Sequence, residues 1–380
     1  MKSSLNNCTI PRFAFLDLGA QFTAIRDDVR QAVVDVLESQ QFILGTGVES
    51  LEREVARYVG CEFAIGCASG SDALLLALMA LGIAEDDEII TTPFTFVATA
   101  GSIARLKARP VFVDIDPVTY NIDPTYIKAA ITSKTRAIIP VHLFGLAADM
   151  PAITSVAANS EVPLIEDAAQ AIGARCGPKP VGSIGMLGCF SFFPSKNLGG
   201  AGDGGLVSTH DVGLADRLRV LRVHGSRRKY HYEMLGINSR LDAIQAAVLK
   251  VKLPHLDHWA NLRRHNADRY RAMFEEFGLD RRISLPREPE GRRHVYNQFV
   301  IRAERRDELQ KHLTALGIPT EVYYPSPLHL QPAFEYLSYR KGDFPEAEKA
   351  SQEVLALPIY PELQEWQQRA VVEAVSSFYH

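Results

Sequence analysis

The stretch Cys189-Phe190-Ser191-Phe192-Phe193-Pro194-Ser195-Lys196-Asn197-Leu198-Gly199 decides how the rest of the chain is read. An apolar run stops at a proline, and one lysine stands between that run and a glycine cluster. A short apolar run bounded by turn residues is a buried strand. A lysine at its mouth is partly desolvated, which lowers its pKa and frees the amine as a nucleophile. Upstream, the run from Pro163 to Gln170 reads as a second buried strand with Asp167 at its carboxyl end. With the residues before it taken as apolar, a carboxylate there is costly unless a cation stands opposite. Taken singly, the lysine reads more plainly as a surface residue and the aspartate as a helix cap.

Working outward, short apolar runs alternate with helical periodicity. Strands are predicted at Phe63–Cys67, Glu88–Thr92, Pro110–Ile115, Ala137–Leu143, Pro163–Glu166, Leu187–Phe192 and Leu206–Thr209. Helices are predicted at 25–39, 48–59, 71–81, 96–106, 211–220 and 239–252. That alternation argues a mostly parallel, helix-covered sheet. After Pro254 the pattern changes to a long charged helix over 256–277, strands at 294–302 and 320–324, and helices at 307–316, 345–356 and 363–376. Two domains are therefore expected, a large α/β domain over 1–253 with a loose arm before about Phe15, and a smaller α+β domain over 254–380.

Bulk properties exclude several classes. The chain has 380 residues, 47% hydrophobic and 23% charged, with a formal net charge of −4. That is an ordinary composition for a soluble enzyme and carries no global footprint for nucleic acid. The five cysteines, Cys8, Cys61, Cys67, Cys176 and Cys189, form no metal-ligand spacing and suggest reduced thiols in the cytoplasm. No metal site and no membrane span are expected, and the N-terminus shows no apolar leader core.

A lysine to form a Schiff base and an aspartate to hold a pyridinium nitrogen are what pyridoxal phosphate needs. The turn Ser69-Gly70-Ser71-Asp72 before Ala73-Leu74-Leu75 offers a helix N-terminus to an anion, with a cap on Ser71 or Asp72 as the plainer reading. Phe94 and Phe96 lie just past a strand end, where open sheets bind ligands. The run Gly200-Ala201-Gly202-Asp203-Gly204-Gly205 is a literal GxGxxG. It opens a strand rather than a helix, so NAD is rejected, and its glycines are expected to give the lysine loop unusual backbone angles.

The runs Ile165-Glu166-Asp167-Ala168-Ala169-Gln170-Ala171 and Ser191-Phe192-Phe193-Pro194-Ser195-Lys196-Asn197-Leu198-Gly199 closely resemble the nucleotide-sugar aminotransferases of the DegT–StrS type, and the likeness extends from Leu16 to Tyr360. The resemblance implies an aspartate-aminotransferase-like fold with a mostly parallel seven-stranded sheet and a small C-terminal domain. It implies a homodimer with shared active sites, L-glutamate as amino donor and a nucleotide-linked keto-sugar as acceptor. By residue, it implies Lys196 as the cofactor lysine, Asp167 on the ring nitrogen, Gln170 on the ring hydroxyl and Phe96 stacked on the ring. Gly70, Ser71 and Ser191 would meet the phosphate, joined by Asn238 from the neighbouring subunit. The basic run Arg227-Arg228-Lys229 is expected to meet a diphosphate, and Tyr323, Tyr324 and His329 to face a sugar. The segments 141–145 and 224–230 look more like the 3-keto than the 4-keto group of relatives, with His142 and Tyr324 helping to orient the ring and a satisfied core histidine as the alternative reading of His142. Relatives with histidine for the lysine are dehydratases, which Lys196 argues against. A pyridoxal phosphate-binding regulator without turnover is the non-enzyme alternative.

Overall fold

The computed structural model describes residues 12–379. Cys8 and most of the expected arm lie outside them. Helices α1 (Leu18–Ser39) and α2 (Thr46–Val59) lead into strand β1 (Phe63–Cys67), helix α3 (Gly70–Leu81), strand β2 (Glu88–Thr91), helix α4 (Ala98–Arg105) and strand β3 (Arg109–Phe112). Four more strands follow, β4 (Thr135–Ile138), β5 (Ile165–Asp167), β6 (Leu187–Ser191) and β7 (Gly205–Thr209).

These seven strands make one sheet. A four-stranded part runs β1-β7-β6-β5 and a three-stranded part runs β4-β2-β3. Parallel bridges Ile138–Leu164 and Val141–Asp167 join β4 to β5, carried by Ile138 N–H on Pro163 O at 3.0 Å and Asp167 N–H on Pro140 O at 2.9 Å. Only β7 runs antiparallel to its neighbours. The strands are buried almost along their whole length because helices cover both faces, which is why they read as continuous apolar runs rather than alternating ones. Helix α3 is apolar nearly all round for the same reason. It packs between the sheet, α4 and the helix Val212–Leu221.

Beyond the helix Leu256–Glu276, the strands Ile283–Ser284, Phe299–Ala303 and Val354–Leu357 form an antiparallel sheet. A second core containing Tyr270, Phe274, Phe299, Leu357 and Val371 surrounds it. Phe13 and Leu16 pack on that core, so the segment just before α1 reaches the C-terminal part. Three local expectations are corrected. Residues 354–356 extend as a strand, because Val-Leu-Ala-Leu is a buried run whose period is ambiguous. Residues 294–298 lie outside the strand that begins at Phe299, and 320–324 contributes a single bridge, Glu321–Ala356.

Candidate active site

The loops after β1, β2, β4, β5 and β6 leave the carboxyl edge of the sheet and close on one cavity of about 620 Å³. That is the edge where open α/β sheets place ligands, and the size suits a small molecule. Gly70, Ser71, Phe96, Asp167, Gln170, Ser191 and Lys196 all line it, with Tyr323 and Tyr324 closing it from the C-terminal part.

Lys196 follows the buried β6 through a turn held by its own N–H on Phe193 O at 2.8 Å. Burial pulls its pKa down to about 8, partly offset by the negative charge of Asp167. Asp167 ends β5 and is buried, which raises its pKa above the ordinary carboxylate value. Opposing that are the Thr99 hydroxyl, which donates to Oδ2 at 2.8 Å, and Ala169 N–H, which donates to Oδ1 at 3.2 Å. Because the Thr99 proton goes to Asp167, the Thr95 hydroxyl must be the donor in the 3.0 Å Thr95–Thr99 bond. These donors are neutral, so a cationic N–H arriving from a ligand is the strongest partner the carboxylate could gain.

The start of α3 offers a place for an anion. The N-cap is Ser69, not Ser71 or Asp72. Its Oγ accepts the Asp72 N–H at 3.1 Å, leaving the first-turn N–H groups beside Gly70 and Ser71 to an anion. Ser191 sits against Gly70 so closely that a Cβ on residue 70 would lie 2.6 Å from the serine Cβ. The glycine cluster 199–205 works the same way. None of its φ angles is positive, contrary to expectation. A Cβ on Gly205 would instead stand 2.2 Å from Ser69 O, so close approach is what requires glycine there. Phe96 is 55% exposed over the cavity whereas Phe94 is fully buried, so Phe96 has a ring face free for stacking.

Gln170 belongs to a turn rather than a helix start. Its Oε1 accepts Phe144 N–H at 2.7 Å and its Nε2 donates to the Tyr324 hydroxyl at 3.2 Å. The Tyr324 pKa is pushed up by burial. One Gln170 N–H remains for a ligand.

Other expected residues fall elsewhere. His142 is fully buried, with Nδ1 accepting Ala148 N–H at 3.0 Å and Nε2 donating to Glu166 at 2.9 Å. It is a core histidine rather than a group over the sugar. Its partner also corrects the reading of β5 as apolar before Asp167. Glu166 points away from the cavity and takes N–H groups of Gly182, Ile184 and Gly185. Burial raises its pKa, but His142 and these backbone donors bring it below the ordinary value. His329 is likewise buried, 3.0 Å from Glu348, away from the cavity lining. Arg227 is exposed and already paired with Asp216 and Glu233. With Lys229 it lines a separate shallow pocket. Asn238 bridges to Val223 and does not line this cavity. Sequence reading missed Thr95, Thr99, Asp203 and Gln298, all of which line it. Only the four-residue spacing of Thr95 and Thr99 beside Phe96 offered a signal.

A desolvated lysine, a buried carboxylate in no ion-pair contact among the described residues, a helix N-terminus and a free aromatic face fit pyridoxal phosphate group by group. Fold and site together define a pyridoxal phosphate-dependent enzyme of the aspartate-aminotransferase type. The chain belongs to the DegT/DnrJ/EryC1/StrS aminotransferase family, matched over residues 23–376. Among curated relatives it is 53% identical to the pleiotropic regulatory protein of Geobacillus stearothermophilus, covering 96% of this chain and 98% of that one. It is 46% identical to the UDP-N-acetyl-3-dehydro-alpha-D-glucosamine 3-aminotransferase of Acidithiobacillus ferrooxidans, covering 98% and 99%. The crystal structure of S. venezuelae DesV in complex with a ketimine intermediate superposes with a TM-score of 0.94 at 42% identity, covering 97% of this chain and 99% of that one.

The lowered lysine pKa has a measurable consequence. Uptake of pyridoxal phosphate by cofactor-free protein, followed by the visible absorbance of the lysine-linked form, should accelerate with pH, be half-maximal at about 8 and level off above it. The sign follows because only the neutral amine attacks, and burial makes Lys196 lose its proton early. A rate still climbing up to the ordinary lysine range, about 10.4, would contradict the desolvated environment.

Proposed function

We propose that this aminotransferase moves an amino group from L-glutamate to C-3 of a nucleotide-linked 3-keto sugar. The observation that carries the transamination part is the placing of Lys196 and Asp167 in one cavity, with Gln170, Phe96 and the start of α3 around it. The C-3 part rests on the 46% identical 3-aminotransferase.

Bound pyridoxal phosphate supplies an electron sink for the carbon that loses its proton. Lys196 would hold the cofactor, and its free amine would move the proton as general acid and base. A pKa near neutrality suits both directions of that transfer. Asp167 holds its negative charge against the ring nitrogen, with Thr99 and Ala169 fixing the carboxylate. Gln170 places its remaining N–H toward the ring hydroxyl, and Phe96 covers one ring face. Gly70, Ser71 and Ser191 take the phosphate, with Asn238 contributed by a second copy in an active homodimer.

Exposed apolar side chains support such a homodimer, Leu235 at 93% and Tyr230 at 79% exposure among them. Tyr230 lies against Lys229, which with Arg228 remains our candidate for the diphosphate, whereas Arg227 is neutralised within the chain. Cys61, Cys67, Cys176 and Cys189 are free thiols, which fits a cytoplasmic setting. Among the described residues no helix is long and apolar enough to cross a membrane and no metal-holding cluster occurs.

The name of the 53% identical relative favours a second reading, regulation through bound cofactor without turnover. The two readings and the two carbons separate in one experiment. Protein, L-glutamate and matched 3-keto and 4-keto nucleotide sugars are incubated, and the amine is located by NMR. We expect amination at C-3 alone. Amination only at C-4 would sink the assignment of the carbon, and no amine on either sugar would favour the regulator.

A further inference from the structure

Gln298 stands on the C-terminal side of the cavity, and nothing in the cofactor chemistry above uses it. Its backbone is fixed from two directions. Its N–H donates to Phe144 O at 3.3 Å, and the same Phe144 peptide donates its N–H to Gln170 Oε1. The preceding Asn297 donates through Nδ2 to Asn197 Oδ1 at 3.0 Å and to Ser195 O at 3.5 Å, on either side of Lys196. The residue is thus tied both to the lysine loop and to the turn that carries Gln170. Its side chain is the free part, and its Oε1 is buried without a hydrogen-bond partner. An orphaned buried carbonyl oxygen is costly and marks a place where a ligand donor is wanted.

A two-step transamination brings two chemically different molecules to this one cavity in turn. The amino-acid donor presents carboxylates, which only accept hydrogen bonds, whereas a sugar presents hydroxyls, which also donate. A glutamine amide carries an acceptor and a donor on one broad terminal torsion, so a half-turn exchanges them. We propose that Gln298 positions both substrates, giving its N–H to a carboxylate of the amino-acid donor and its Oε1 to a hydroxyl of the sugar ring. This rests on the transamination reading.

The two half-reactions are separable in the holoenzyme by single-turnover absorbance. The first is started with L-glutamate and the second with UDP-N-acetyl-3-dehydro-glucosamine added to the amine form. In Gln298→Leu both apparent dissociation constants should rise about tenfold, with saturating rates within about threefold of the unmodified enzyme. In Gln298→Glu the carboxylate still accepts a hydroxyl but repels another carboxylate. Glutamate binding should therefore weaken by more than in Gln298→Leu, while sugar binding stays within about threefold. Retained cofactor absorbance in both variants checks that the site is folded. Unchanged constants in Gln298→Leu, or equal weakening of both substrates in Gln298→Glu, would overturn the role of Gln298. Unmodified protein that fails to respond to glutamate would instead overturn the transamination reading and this role with it.

Discussion

Lys196→Ala is expected to abolish turnover and the visible absorbance of lysine-linked cofactor while leaving the fold intact. Proton transfer by a positioned side chain alone contributes on the order of 10²–10⁴-fold, and the alanine variant also loses the covalent attachment. Stability should not suffer. Burial depresses the Lys196 pKa, so the amine is costly to hold charged below about 8, and its removal relieves that cost. Thermal unfolding and steady-state rates of the purified variant check both halves. Normal turnover with an intact fold would place the reacting lysine elsewhere.

The second large effect concerns Asp167. Asparagine keeps the shape but has one acceptor oxygen where Asp167 uses two, so it can accept from Thr99 or from Ala169 but not both, and it carries no charge to set against a ring nitrogen. Loss of one preorganised electrostatic contact in a buried site costs on the order of 10²–10³ in rate. Both half-reactions of Asp167→Asn should slow by that amount, because both need the same electron sink. Cofactor uptake should persist, since Lys196, Phe96 and the start of α3 remain. Near-normal rates in both halves would make Asp167 a structural group.

What the sequence made readable follows from what is local. Lys196, Asp167 and the Ser69–Ser71 turn each sit where a buried strand ends, so a strand prediction brings them to one edge of the sheet. The alternation of runs also yields the seven strands, because helices on both faces make each of them apolar. Features that depend on distant partners were not readable. Nothing local to His142 and His329 reveals their partners Glu166 and Glu348, which lie 24 and 19 residues away. Glu166 itself was overlooked inside β5 because its donors come from the 182–185 loop. Gln298 had no local signal, since only tertiary folding brings it beside Gln170 and the lysine loop. The strand at 354–357 was read as helix because a four-residue apolar run has no decisive period.

The cations between residues 222 and 229 divide by partner, beginning with Arg222. It is buried against Glu52 and the Gly66 carbonyl, so it anchors the segment. Arg227 is held by two carboxylates on the surface. Among the described residues Arg228 and Lys229, which come after it, have no carboxylate partner, and that keeps them our candidates for a diphosphate.

The most direct test of the central claim is the absorbance spectrum of the purified holoprotein before and after L-glutamate. Transamination through Lys196 requires the visible band of the lysine-linked cofactor to disappear on adding the amino acid, and to return when a nucleotide-linked 3-keto sugar follows. A band that glutamate leaves unchanged would contradict it.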